Sequence, residues 1–159
     1  MNNKDRKNFF EFLLLAKRNT YASGGQDTRV SIPLVPASKQ LDWKSGNWLY
    51  RDIYFGMTRF SGMETVYWHS NPVWSMGYFG GIRPETSEGL VKPAYSFLQK
   101  ALAQASREHP YRGPQSYTLD NWVYRSVLYG DENQFDGTEE VWCDEQSLYL
   151  LNFAGGFII

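Results

Sequence analysis

The stretch Asn47–Gly56, NWLYRDIYFG, returns seventy-four positions later as Asn121–Gly130, NWVYRSVLYG. Asn47, Trp48, Tyr50, Arg51 and Gly56 recur as Asn121, Trp122, Tyr124, Arg125 and Gly130. After one inserted residue, Phe60, Gly62, Glu64 and Val66 become Phe135, Gly137, Glu139 and Val141, and Gly80-Gly81 answers Gly155-Gly156. The match has eleven identities over about 36 positions, where composition alone gives roughly two. It implies two copies of one β-rich unit about a pseudo-two-fold axis. We read one domain over 1–159, with repeat one at 5–82 and repeat two at 85–159.

Working outward, strands are predicted at Asn47–Phe55, Glu64–His69 and Val73–Phe79, with a turn at Ser70-Asn71-Pro72. The second copy repeats them at Asn121–Tyr129, Glu139–Cys143 and Leu148–Phe153. A short extended LDW and the turn Lys44-Ser45-Gly46 lead into the first strand. Phe9, Phe10, Leu13, Leu14 and Ala16 give a helix over Asp5–Arg18 its apolar face, with Asp5 as N-cap and Gly24-Gly25 beyond its end. A second helix is predicted at Leu90–Ser106, with Pro93 in its first turn. The predicted class is α+β: a helix plus three antiparallel strands, given twice, with the helices packed on one side of the sheet. Pro33 and Pro36 bar regular pairing between Ser23 and Lys39, so a functional flap is the expectation there.

Composition removes several function classes. Sixteen basic against seventeen acidic side chains leave a net charge of −1, which argues against direct nucleic-acid binding. Lys4, Arg6, Lys7, Lys17 and Arg18 read as the wet side of a helix. Cys143 is the only cysteine, and with His69 and His109 as the only histidines it supports neither a disulfide nor a metal site. NFFEFLLLA, interrupted by Glu11, is too short for a membrane span or a signal peptide. A cytoplasmic chain without a cofactor is the expectation.

Alternation along the first strand puts Trp48, Tyr50, Asp52 and Tyr54 on one face and Leu49, Arg51, Ile53 and Phe55 on the other. Arg51 and Arg125 are guanidinium groups among apolar neighbours and are read as structural ion pairs, with Glu64 and Glu139 as candidate partners. A hairpin turn near Arg59 sets Glu64 opposite Tyr54, on the aromatic face, while a one-residue bulge reverses this. Glu64 and Glu139 are then twin carboxylates in an aromatic cleft suited to a hydrophobic or cationic molecule, or else structural bridges under two hairpins. Trp48, Tyr54, Glu64, Trp68 and Trp74, with Tyr124 and Glu139, are the candidate ligand-binding residues. Trp74, Met76 and Tyr78 equally fit a core stripe. Two positions break the repeat: Cys143 stands where the first copy has Trp68, and Ser126 where it has Asp52. Such asymmetry can turn one of two related pockets into the working one.

The run LLLAKRNTYASGG, then WLYRDIYFG, FSGMETVYW, NPVWSMGYFGG, FDGTEEVW and NFAGG, resembles a bacterial family of domains of unknown function over nearly the whole chain. Some relatives in that family carry the domain behind a Xre-type helix-turn-helix. With the first domain helix at the start of this sequence, no such DNA reader is expected ahead of it. The resemblance implies a sensing or regulatory role and no established chemistry. In layout the chain is also similar to gyrase-inhibitor-like effector-binding domains, which implies a cleft between repeats.

The leading expectation is a non-enzymatic small-molecule binding or sensing domain with an aromatic cleft between the repeats and no catalytic residue. One alternative is a protein-interaction module using exposed aromatics, with homodimerisation left open. The other is a small hydrolase using Glu64 or Glu139, which requires a carboxyl of raised pKa inside a concave pocket.

Overall fold

Trp48, Tyr50 and Asp52 are buried, whereas Leu49, Arg51 and Ile53 between them are only half-buried. That period of two, carried by hairpin after hairpin, builds the molecule. The computed structural model describes residues 3–21 and 28–158. Its elements are α1 (Asn3–Asn19), β1 (Lys39–Ser45), β2 (Trp48–Gly56), β3 (Arg59–Trp68), β4 (Asn71–Ile82), α2 (Glu88–Leu102), β5 (Ser116–Leu119), β6 (Trp122–Gly130), β7 (Phe135–Cys143) and β8 (Gln146–Phe157). All eight strands form one antiparallel sheet in the order β1-β2-β3-β4-β8-β7-β6-β5.

This corrects the α+β expectation of a helix plus three strands given twice. The fold is a single, open, strand-dominated sheet of eight strands with two helices. The added strands are the outermost ones, β1 and β5. They fold back on β2 and β6 through the two-residue turns Gly46-Asn47 and Asp120-Asn121, where Gly46 has φ +56° and Asp120 φ +53°. The central strands also outrun their predicted ends. Gly80-Gly81 and Gly155-Gly156 lie inside β4 and β8, which pair with each other at the middle of the sheet.

Both helices cover one face. From α1, the Phe9 ring lies 6.2 Å from Trp48 and 5.9 Å from Trp74. From α2, Phe97 lies 5.6 Å from Tyr117 and 5.6 Å from Trp122. Trp74 is fully buried and stacks against Tyr111 and Phe135, which stack on each other at 3.9 Å. Truncating a ring in such a stack costs about 3–5 kcal/mol. Helix α2 starts two residues before Leu90, so Pro93 sits inside it rather than in its first turn, and the helix stops at Leu102, short of the predicted Ser106. The chain then turns back under the sheet through Tyr111 and Arg112, both buried. Of the expected flap, residues 28–30 run beside β1, with Val30 N–H donating to the Gln40 carbonyl. Gly24 and Gly25 lie outside the described residues. Among the described residues no helix is long and apolar enough to cross a membrane.

The β2–β3 hairpin turns at Met57-Thr58 and requires Gly56, which has φ +92° and where an added Cβ would lie 2.0 Å from the Arg59 carbonyl oxygen. At Gly46 a Cβ would meet nothing within 4 Å. Gly46→Ala is therefore expected to cost about 1 kcal/mol, through its positive φ alone. Gly56→Ala should cost at least twice that. Urea denaturation of both variants checks the order, and equal losses would contradict the hairpin geometry.

Candidate functional site

Arg112 enters the buried face between Tyr111 and Gly113, and only 8% of it is exposed. A guanidinium so placed keeps its charge only if carboxylates surround it. Its Nε donates to Glu139 Oε2 at 3.0 Å and its Nη2 to Glu139 Oε1 at 2.5 Å, while Nη1 lies 3.7 Å from Glu64 Oε1. One fork thus spans β7 and β3. Burial alone would favour losing the Arg112 proton, yet Glu139, Tyr149 and Glu64 hold its pKa well above the ordinary arginine value. Glu139, wholly buried, also accepts hydroxyl hydrogens from Tyr124 and Tyr149, each at 2.8 Å. The Tyr124 oxygen in turn accepts from the Gly113 N–H at 2.9 Å. A Cβ on Gly113 would fall 2.8 Å from the Tyr124 ring, so only glycine permits this approach.

Glu64 is the second anion. Its Oε2 accepts from Lys17 Nζ at 2.5 Å. Lys17, read from the sequence as part of the wet face of α1, instead turns inward, and its side chain is 12% exposed. Burial lowers its pKa, against the raising effect of Glu64. Directly across the strand pair from Glu64 stands Asp52, which is 3% exposed. Tyr78 donates to Asp52 Oδ1 at 2.7 Å. Burial, then the charge of Glu64, pushes the Asp52 carboxyl up to about 7, although Tyr78, Lys17 and Arg112 all pull it down.

Asp52, Glu64 and Arg112 form the inner end of a cavity of about 670 Å³. Its sheet wall comes from β1 to β4, including Leu41, Tyr54, Phe60 and Tyr78, and its far wall from Val91 and Tyr95 of α2. The Tyr95 hydroxyl donates to the Thr58 carbonyl at 2.9 Å and ties α2 to the β2–β3 turn. Gly62 makes the room: a Cβ there would meet the Tyr78 hydroxyl at 2.4 Å and Tyr54 Cβ at 2.6 Å. In β6 and β8, Ser126 and Phe153 hold the positions of Asp52 and Tyr78 by register. Only about 10 Å³ of free space lies beside them.

Of the residues singled out in the sequence, Tyr54 and Glu64 line the cavity. Glu139 and Tyr124 lie behind it, on the other side of Arg112. Trp48, Trp68 and Trp74 do not line it: Trp48 and Trp68 pack together at 4.3 Å, and Trp74 belongs to the core. Glu64 faces Asp52, not Tyr54, because the hairpin is centred on Thr58, one residue earlier than the sequence suggested, which moves its partner by two. Neither glutamate pairs with the repeated arginines, which lie on the uncovered face. Arg51 instead makes two bonds to Asp42, at 2.9 and 2.7 Å. Arg125 is exposed opposite Glu140. Sequence reasoning missed Lys17, Asp52, Tyr78 and Arg112 as site residues, Asp52 having been noted only where the repeat breaks. Arg112 lies in HPYRGPQ, outside any periodic segment, where Tyr111 precedes it and Gly113-Pro114 follows.

Residues 52–158 match the family described as Domain of unknown function (DUF5680). The chain belongs to DUF5680. That span begins at Asp52 and takes in Glu64, Tyr78, Arg112 and Glu139, whereas Lys17 and β1 precede it. It is shorter than the near-whole-chain likeness read from the sequence, which started at Leu13. No curated protein and no solved structure matches this DUF5680 chain.

The raised Asp52 pKa has a sign that can be checked. A carboxyl that holds its proton more tightly when folded stabilises the fold fully below its unfolded value of 3.8, and that contribution is lost as pH rises to about 7. Asp52→Asn lacks this contribution. Between pH 5 and pH 8 the variant is expected to gain on the wild type by on the order of 2–3 kcal/mol of unfolding free energy. A difference that stays constant with pH would mean that Asp52 titrates normally.

Proposed function

We propose that this DUF5680 chain is a non-enzymatic binding domain that takes a small molecule with an apolar body into the cavity between β1–β4 and α2. The observation that carries the reading is the cavity itself: about 670 Å³, aromatic and aliphatic walls, and a few convergent charged groups at one end. Its sheet wall comes from the first half of the chain, while α2 and Arg112 come from the second. The matching registers of the two meanders support an internal duplication in which one copy kept its pocket and the other filled it. Binding is favoured over hydrolysis because both glutamates are committed. Glu139 lies outside the cavity with four donors on its two oxygens, and Glu64 is held by Lys17 and Arg112.

A second reading, a protein-interaction surface, is favoured by the uncovered face of the sheet. There Phe55, Met63 and Phe79 are 46%, 54% and 64% exposed, with Ile53 and Gly77 paired on either side of Met63.

A thermal-shift screen of hydrophobic cations and neutral aromatics tests the binding reading, with Val91→Trp, which fills the cavity from α2, as control. A ligand at a hundred times its Kd adds roughly 2.7 kcal/mol, a rise of about 5–10 °C for a domain of this size. The expected result is a saturable rise in the wild type that is absent in a folded Val91→Trp. No rise with any compound, or an equal rise in the variant, would contradict it.

A further inference from the structure

The buried ionisable groups at the inner end of the cavity do not balance. Asp52, Glu64 and Glu139 are acidic, and Lys17 and Arg112 are the cations set among them. Arg112 is committed to Glu139 with one nitrogen left toward Glu64, and Lys17 is committed to Glu64. Among the described residues Asp52 has only the neutral Tyr78 hydroxyl as a hydrogen-bond partner. Beyond Lys17 and Arg112, the other described groups about it bring no free cation. Tyr50, next along the same face of β2, is held neutral, its pKa raised well above the usual phenol value by burial and by Glu64 and Asp52. The basic residues nearer the mouth are otherwise engaged: Lys39 Nζ donates to the Gly56 carbonyl at 2.7 Å and lies over the Tyr54 ring, where Arg29 also acts. On α2, Glu88 and Lys92 are exposed at the rim, where solvent screens them.

An ionised Asp52 would therefore be a buried charge without a counter-ion, and such a group either takes a proton or acquires a cation. From this geometry we infer that the ligand is an organic monocation, a protonated amine on an aromatic or aliphatic body, and that its ammonium group replaces the proton on Asp52. The inference rests on the binding reading above and names the ligand class of that same cavity. Tyr54, Phe60 and Tyr95 then line the space for the body, and the ammonium group sits between the Asp52 and Glu64 carboxylates. The exchange is balanced: the amine enters charged, Asp52 gives one proton to solvent, and the net charge of the complex equals that of the free protein. Each unit of pH below the Asp52 midpoint then weakens amine binding tenfold, and above it affinity is flat. A neutral ligand of the same shape gains nothing from the exchange.

Calorimetric titration of the full chain with an arylalkyl amine and its alcohol isostere, in two buffers of different ionisation enthalpy, reads the proton directly. The amine is expected to release close to one proton at pH 6 and none at pH 8.5, with about tenfold weaker binding at pH 6 than at pH 8. The alcohol should release none at either pH and bind at least about tenfold more weakly than the amine at pH 8. Asp52→Asn should abolish both the proton release and the preference for the amine. Tyr78→Phe keeps the carboxylate, so it should retain proton release and extend it to higher pH. Equal binding of amine and alcohol without proton release would overturn the ligand class and leave the cavity reading standing. Failure of every probe, including a neutral apolar dye such as Nile red, would overturn both.

Discussion

A single guanidinium, that of Arg112, lies among the acidic groups of two otherwise separate strands, and the packing of this molecule depends on it. Taking a cation and two carboxylates out of water costs several kcal/mol for each ion, and only close geometry with every lone pair engaged recovers it. The fork on Glu139 meets that demand, helped by the hydroxyls of Tyr124 and Tyr149. Tyr124 also grips the Gly113 amide, so the same cluster that neutralises Arg112 fixes the connection that delivers it. Apolar residues of equal volume would fill this space as stably or more so. What they would not supply is a fixed set of charges at the end of a cavity.

The two ends of the sheet show what that difference produces. Across β2, β3 and β4 the register reads Asp52, Glu64, Met76, and across β6, β7 and β8 it reads Ser126, Glu139, Leu151. Each triplet places an acid in the middle, yet Arg112 serves Glu139 with two nitrogens and Glu64 with one. Around Glu139 the space is filled by Tyr149, Phe153 and the turn bearing Arg112 itself. Around Glu64 it is open, floored by a second acid, and walled by a helix from the other half of the chain. Similar backbones thus carry a packed core at one end and a cavity at the other. Serine for aspartate and phenylalanine for tyrosine are the side-chain changes closest to that difference.

The repeat and the central strands were legible in the sequence, because alternation of apolar and polar residues reports side-chain direction, whereas the face on which Glu64 lies stayed open until the register was known. The outermost strands were less legible: of the first only a short extended LDW was read, and Ser116–Leu119 was not read at all. Lys39–Ser45 and Ser116–Leu119 are short, and β5 is mostly exposed, so neither carries an alternation strong enough to separate a strand from a loop. The hairpin register was also missed. Ser61 and Gly62 are strand residues, and Gly62 leaves the space that Tyr54 and Tyr78 occupy on either side of it. The site was half legible: Glu64 and the Asp52/Ser126 asymmetry stood out, whereas Lys17 and Arg112 did not. Their roles depend on which way a helix rolls and where a connection turns back, and those are set by tertiary packing.

The claim on which the whole account turns is that Arg112 and Glu139 are an interdependent buried pair. A double-mutant cycle with Arg112→Met, Glu139→Gln and the double variant, read by equilibrium denaturation, tests it most directly. Removing the cation alone is expected to cost about 3–5 kcal/mol, since it leaves buried carboxylates without their counter-ion. The double variant should then recover about 2–3 kcal/mol relative to the sum of the single losses. Additive losses, or a cost below about 1 kcal/mol for Arg112→Met, would show that the fold does not depend on this pair.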